Sequence, residues 1–215
     1  MKKLIIFDLD GTLLNTIDDL GSACNYALRK CSMATHTLSA YNYMVGNGVR
    51  KLIERAAPDA DAARLEELLG YFLEYYGSHC TDFTKPYPGI PELLRTLSDN
   101  DIRLAVASNK YQQGVDKIIG HYFPDIKFAA VCGERPEMPK KPDPSVVFAV
   151  LNAVPTPKND VLMVGDSAVD IETARRACVE SVGVTWGFRP VSELTSAYAD
   201  HIVSNPAEII SLAGL

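Results

Sequence analysis

Leu4-Ile5-Ile6-Phe7-Asp8-Leu9-Asp10-Gly11-Thr12 is the stretch from which the rest of the chain can be read. Four apolar residues without polar alternation predict a strand covered on both faces, as in a parallel sheet. Two carboxylates follow at its carboxyl end, where open parallel sheets bind their ligands. Asp8 and Asp10 repel each other there unless a cation, a positive side chain or a shared proton relieves them. The stretch therefore predicts a metal site, an acid/base pair, or both. An N-cap at Asp8 and a turn at Asp10-Gly11 would use the same residue types. A calcium loop does not fit, because it needs a third Asp or Asn directly before its glycine, and Asp10 already stands there. Nor does a signal peptide, since Asp8 and Asp10 cut the apolar run after Lys2-Lys3 far short of an h-region.

Outward from this strand, residues 16–31 carry Ile17, Leu20, Ala23, Cys24, Ala27, Leu28 and Cys31, an apolar stripe of helical period. Residues 49–57 and 62–76 repeat it, so about 15–84 reads as an all-helical block without a strand. Lys85-Pro86-Tyr87-Pro88-Gly89 is a strong break that ends the block. Helices are then expected at 91–97, 112–119, 144–151 and 171–178. Strands are expected at 103–107, 128–132, 161–164, 181–185 and 201–203. Such alternation implies parallel strands with right-handed crossovers. The expected fold is α/β, a Rossmann-like parallel sheet formed by 1–14 and 85–215 with the helical block 15–84 inserted.

Composition agrees with a folded, water-soluble chain: 215 residues, 47% hydrophobic and 22% charged. No apolar run is long enough to span a bilayer, so a cytoplasmic location without a membrane partner is expected. A net charge of -6 argues against a nucleic-acid partner, which normally requires a basic face. Five scattered cysteines without a CxxC pair favour reduced thiols. The four histidines have no metal-ligand spacing. No leucine heptad marks an interface, so monomer and homodimer both fit.

Polar residues fall on this frame in a pattern. Asp8, Ser108 and Asp166 each follow an apolar strand, which projects all three from one sheet edge. Asp170 lies four residues after Asp166, on the same face of a helix begun by Ser167. With Asp8 and Asp10 this makes an acidic cluster suited to magnesium, which takes oxygen ligands and bridges to phosphate. An anionic substrate also needs a positive partner, and Lys141, in Lys140-Lys141-Pro142-Asp143-Pro144, supplies one from a proline-stiffened loop. Lys140 is expected to be a solvated surface charge.

In order along the chain, Asp8-Leu9-Asp10-Gly11-Thr12, Ser108-Asn109, Lys141-Pro142 and Gly165-Asp166 with Asp170 resemble the four motifs of the haloacid dehalogenase superfamily. They are most similar to those of its phosphatases with a helical cap inserted after the first motif. Asn109-Lys110, Gly133-Glu134-Arg135, Gly183-Val184-Thr185-Trp186-Gly187 and Val45-Gly46-Asn47-Gly48 add a likeness to the phosphoglycolate phosphatases. The resemblance implies a magnesium-dependent phosphomonoester hydrolase acting on a small phosphorylated metabolite. It implies that Asp8 is the nucleophile and Asp10 the acid that protonates the leaving alkoxide, then the base for the hydrolytic water. Magnesium would be held by Asp8, Asp166 and the backbone carbonyl of Asp10. Thr12, Ser108, Asn109 and Lys141 would bind the phosphoryl group, and Asp170 would hold Lys141 or metal-bound water. Hinges are expected at 14–16 and 84–89. The Gly46-Asn47-Gly48 loop would present a helix N-terminus to the substrate, with Arg50 reaching a substrate carboxylate.

Asn15 stands where many relatives have Asp, and Ala177-Cys178 where they often have Ala-Gly. A dehalogenase would have no need of Asp10 or of an acidic fourth motif. A hexose-phosphate mutase usually has Val or Ile at the position of Thr12, and a non-catalytic sensor of phosphorylated metabolites would be expected to lose Asp8 or Asp10.

Overall fold

The computed structural model describes residues 1–215. Its strands are β1 Leu4–Phe7, β2 Leu14–Asn15, β3 Lys85–Pro86, β4 Arg103–Tyr111, β5 Phe128–Glu134, β6 Val161–Gly165, β7 Glu180–Val184 and β8 His201–Val203. The helices are α1 Ile17–Lys30, α2 Val49–Ala56, α3 Ala62–His79, α4 Ile90–Asp99, α5 Gln112–Tyr122, α6 Ser145–Ala153, α7 Ala168–Ala177, α8 Val191–Ser196 and α9 Pro206–Ala213. Six strands form one parallel sheet in the order β5-β4-β1-β6-β7-β8, with β1 between β4 and β6.

The alternation of β1 explains why all four of its residues are apolar. Ile5 and Phe7 pack on the face covered by α4, α5 and α9, through Leu93, Leu94, Val115, Ile118 and Ile209. Leu4 and Ile6 pack on the other face against Val146, Val147 and Val150 of α6 and Ala174 of α7. A polar residue at any of these positions would lose its water on either side of the sheet.

Residues 16–84 hold α1, α2, α3 and a 3-10 helix at Leu38–Tyr43, which the sequence did not announce. Their core, including Ala23, Cys24, Leu52, Phe72 and Tyr76, is continuous with that of the first sheet face. The two ends of this segment meet in a short antiparallel ribbon, where Leu14 pairs with Pro86 and Asn15 with Lys85. Beside it, the buried carboxylate of Asp19 accepts from the Phe83 and Thr84 backbone amides and, at 2.7 Å, from the Thr84 hydroxyl. These bonds tie the first helix of the segment to its exit.

Several sequence expectations change. Asn15, read as the start of a helical block without a strand, lies in β2. β4 runs to Tyr111 instead of ending at Ala107, with a register shift against β5 between Ala107 and Tyr111. Ser108, Asn109 and Lys110 thus lie in the irregular end of a strand and not beyond it. Helices α8 and α9 were not anticipated. Cys178 caps α7 in the left-handed conformation at φ 58°, a conformation that glycine adopts at lower cost. All five cysteines are free, and no helix is long and apolar enough to cross a membrane.

Candidate active site

Asp8, Ser108 and Asp166 meet at the carboxyl edge of the sheet because β1, β4 and β6 are neighbours in parallel register. The Asp8 amide still donates to Val164 O at 2.9 Å, so Asp8 continues the line of β1 while its side chain turns into the site. Lys141 reaches it from the loop before α6, its Nζ 2.8 Å from Asp8 Oδ1 and 2.6 Å from Asp170 Oδ1. All three residues are buried. Asp170 is held by its helix, since its Oδ2 accepts from the Ser167 backbone and hydroxyl in a capping box at the start of α7.

Asn109 fixes the lysine loop from the other side. Its Oδ1 accepts from the Lys141 amide at 2.8 Å, and its Nδ2 donates to Lys141 O at 3.1 Å and to Gly46 O at 3.0 Å. One side chain therefore ties the loop that positions Lys141 to the helical segment. The Ser108 hydroxyl accepts only from the Lys110 amide, at 3.2 Å, and keeps its own proton for another acceptor. Thr12 is fully buried and its Oγ1 has no partner. An orphaned buried hydroxyl is costly unless a ligand completes it.

Burial pushes the Asp8 carboxyl up to about 7, against the opposing pull of Lys141. Burial also raises Asp166 well above the ordinary carboxylate range, and Asp170 and Asp8 add to the effect. Burial alone would depress Lys141, but Asp170 and Asp8 outweigh it and hold the ammonium protonated. The cluster thus holds more carboxyl groups than its one lysine can neutralise, and a second cation would favour their ionised forms.

Asp8, Asp166 and Asp170 each offer an oxygen, all within 4.8 Å of one another. Both oxygens of Asp170 are already engaged by Lys141 and Ser167. Asp166 uses only Oδ2, on the Phe188 amide at 2.7 Å, and Asp8 only Oδ1. The oxygens left over belong to Asp8 and Asp166, a hard donor pair that fits magnesium. Gly11, at φ 94°, passes so close that a Cβ there would stand 2.4 Å from Asp166 Oδ2. Only glycine allows the loop to approach this carboxylate.

The Asp10 side chain does not join the three acidic groups. Its Oδ1 accepts from Thr16 Oγ1 at 2.8 Å, and Lys110 Nζ lies 3.0 and 3.1 Å from its two oxygens. Lys110 was only a subgroup marker in the sequence, with no role attached. Its signal was its position two residues after Ser108, but a pairing 100 residues away in sequence left no local pattern.

The helical segment covers this edge. Gly46 and Gly48 line the cavity above Asp8 and Asp10. The Asn47 side chain instead accepts from Arg55 at 2.6 Å. Lys140, expected to be solvated, pairs with Glu134 at 2.8 Å beneath Gly48. Arg189 donates to Val45 O at 3.0 Å and stacks on Tyr43, a second tie between the sheet and this loop. The structure does not bring Arg50 to the cavity. It is exposed and pairs with Glu66 at 2.5 Å. Arg50→Ala is accordingly expected to leave kcat and KM within about twofold of wild type in a steady-state assay, because exposed ion pairs contribute little.

The chain matches the haloacid dehalogenase-like hydrolase family over residues 5–184. It is 32% identical to the phosphoglycolate phosphatase of Pseudomonas putida, covering 100% of this chain and 85% of the relative. It is 30% identical to that of Aquifex aeolicus, covering 98% and 96%. The crystal structure of a Lactobacillus delbrueckii subsp. bulgaricus protein superposes with a TM-score of 0.93 at 30% identity over 99% of both chains. With four motifs gathered on one sheet edge and full-length likeness on both counts, the chain belongs to the haloacid dehalogenase-like hydrolases, as a phosphatase of that family.

Proposed function

We propose that the chain hydrolyses 2-phosphoglycolate or a phosphomonoester of similar size through an aspartyl-phosphate on Asp8. The observation that carries the reading is the fully buried Lys141 bridging Asp8 and Asp170, beside the unpartnered Thr12 hydroxyl. A carboxylate nucleophile must be ionised to attack, a form that a cation at the site favours over the raised value of the buried Asp8, and its further difficulty is repulsion from the incoming dianion. Lys141 opposes that repulsion, and Thr12, Ser108 and nearby backbone amides donate to the phosphoryl oxygens. Asp8, Asp166 and the backbone carbonyl of Asp10 would hold magnesium, which when bound neutralises charge on the transferring group.

In this reading Asp8 attacks phosphorus in line with the ester oxygen. Asp10 gives that oxygen a proton and later takes one from the water that cleaves the aspartyl-phosphate, a contribution of about 10²–10⁴-fold for such groups. Residues 15–84 act as a cap that excludes bulk water during the first step, moving on the ribbon of β2 and β3. The preference for a small substrate is supported by the names of the full-length relatives.

Phosphate release from 2-phosphoglycolate, hexose phosphates, nucleoside monophosphates and pyrophosphate, with and without magnesium, tests the proposal. Magnesium-dependent turnover led by 2-phosphoglycolate is expected. A hexose phosphate or nucleotide turned over faster by an order of magnitude would overturn the substrate assignment and leave the reaction standing.

A further inference from the structure

The cavity beyond Asp8, where a leaving group would lie, has Leu20, Val45, Val49 and Leu52 of the helical segment on one side and the polar residues of the sheet edge on the other. Lys110 is the single cationic side chain that lines it. Lys141 stands behind Asp8 on Asp170, Arg50 points away, and Arg55 and Arg189 are held by backbone oxygens of the 44–45 turn. The Lys110 side chain is only 2% exposed. Its Nζ has Asp10 as its one hydrogen-bonding partner and lies 4.7 Å from the ring centre of Tyr76.

An ammonium has three donors, and this one shares a single carboxylate and a ring face. A buried ammonium with so few acceptors favours any anion that can complete its shell. No other cation lines the cavity to pair with a second anionic group.

We infer that Lys110 is the specificity-determining cation of the site: shared with Asp10, it selects phosphomonoesters whose leaving group carries a second anionic group, such as a carboxylate next to the ester carbon. The inference deepens the phosphatase reading and rests on it. It assigns to Lys110, on the sheet edge, the carboxylate contact that the sequence had suggested for Arg50 on α2.

The test compares kcat/KM for 2-phosphoglycolate with that for its neutral amide of the same shape, in wild type, Lys110→Met, Lys110→Gln and Lys110→Arg, each first checked for folding by circular dichroism. Wild type is expected to favour the carboxylate by about 100-fold or more, chiefly through KM, the scale on which a site built for a polar group rejects an analogue lacking it. Met and Gln should bring that ratio to within about threefold of unity, and Arg should restore most of it. Two results would overturn the inference: a wild type that does not distinguish acid from amide, or Met and Gln variants that lose rate equally on both and keep the ratio. The second would mean that Lys110 serves Asp10 alone. Should the wild type hydrolyse neither compound nor p-nitrophenyl phosphate with magnesium, the phosphatase reading fails, and this inference with it.

Discussion

Asp8→Asn is expected to lower kcat by at least about four orders of magnitude on every phosphomonoester while leaving a folded protein. Asparagine keeps the shape of the side chain and loses the oxygen that would bond to phosphorus. The stability of this variant carries further information. Asp8 titrates at about 7 in the folded protein against an ordinary value of 3.8. The native state therefore binds more protons than the unfolded chain between these values. Without metal, the contribution of Asp8 to stability falls as pH rises from about 4 to about 7, and stays lost above. Asparagine resembles the protonated acid, so in EDTA the variant should melt with wild type near pH 4 and above it near pH 8. A variant less stable than wild type at pH 8 would mean that the Lys141 contact outweighs the burial of the charge.

Lys141→Met should have the opposite balance. It removes the one cation among Asp8, Asp166 and Asp170, whose oxygens lie within 4.8 Å. Breaking a buried pair from one side costs about 3–5 kcal/mol, and here two carboxylates lose their partner. At about 2–4 °C per kcal/mol for a domain of this size, the melting point should fall by roughly 6–20 °C at pH 7.5. In the proposed mechanism the same charge offsets the repulsion between Asp8 and the phosphoryl group, so kcat should drop by about 10²–10³-fold. Adding Asp170→Asn should recover part of the melting temperature and none of the rate, since it removes a repulsive charge without returning a positive one. Recovery of rate in the double variant would show that Lys141 serves only the fold.

The sheet could be read in the sequence because its signals are local. Leu4–Phe7 and His201–Val203 form strands at the positions read from their residues, β6 runs one residue further and β7 is displaced by one. Asp8, Ser108 and Asp166 could be placed on one edge for the same reason, as each follows its own apolar run. The α9 signal was also present: Asn205 caps the helix, Pro206 opens it, Glu208 completes the box and Gly214 ends it. Helix α8 is a short turn after Pro190 with one buried leucine, too little for a period. The 3-10 helix at Leu38–Tyr43 has a spacing that an α-helical stripe does not describe.

What could not be read depends on pairs distant in sequence. Lys110 meets Asp10 across 100 residues, and Asn109 meets Gly46 across 63. Arg50 looked available because it sits in the first turn of α2 beside the glycine loop. Glu66 of α3 holds it on the outside of the segment, a choice made by how two helices pack.

The claim on which the rest depends is the covalent one. Wild-type protein mixed with magnesium and a radiolabelled phosphomonoester, quenched in acid within the first turnover and digested, should carry one phosphoryl group on the peptide holding Asp8. Asp8→Asn should carry none. Turnover that proceeds with no label on the chain, or with the label on a residue other than Asp8, would contradict Asp8 as the nucleophile.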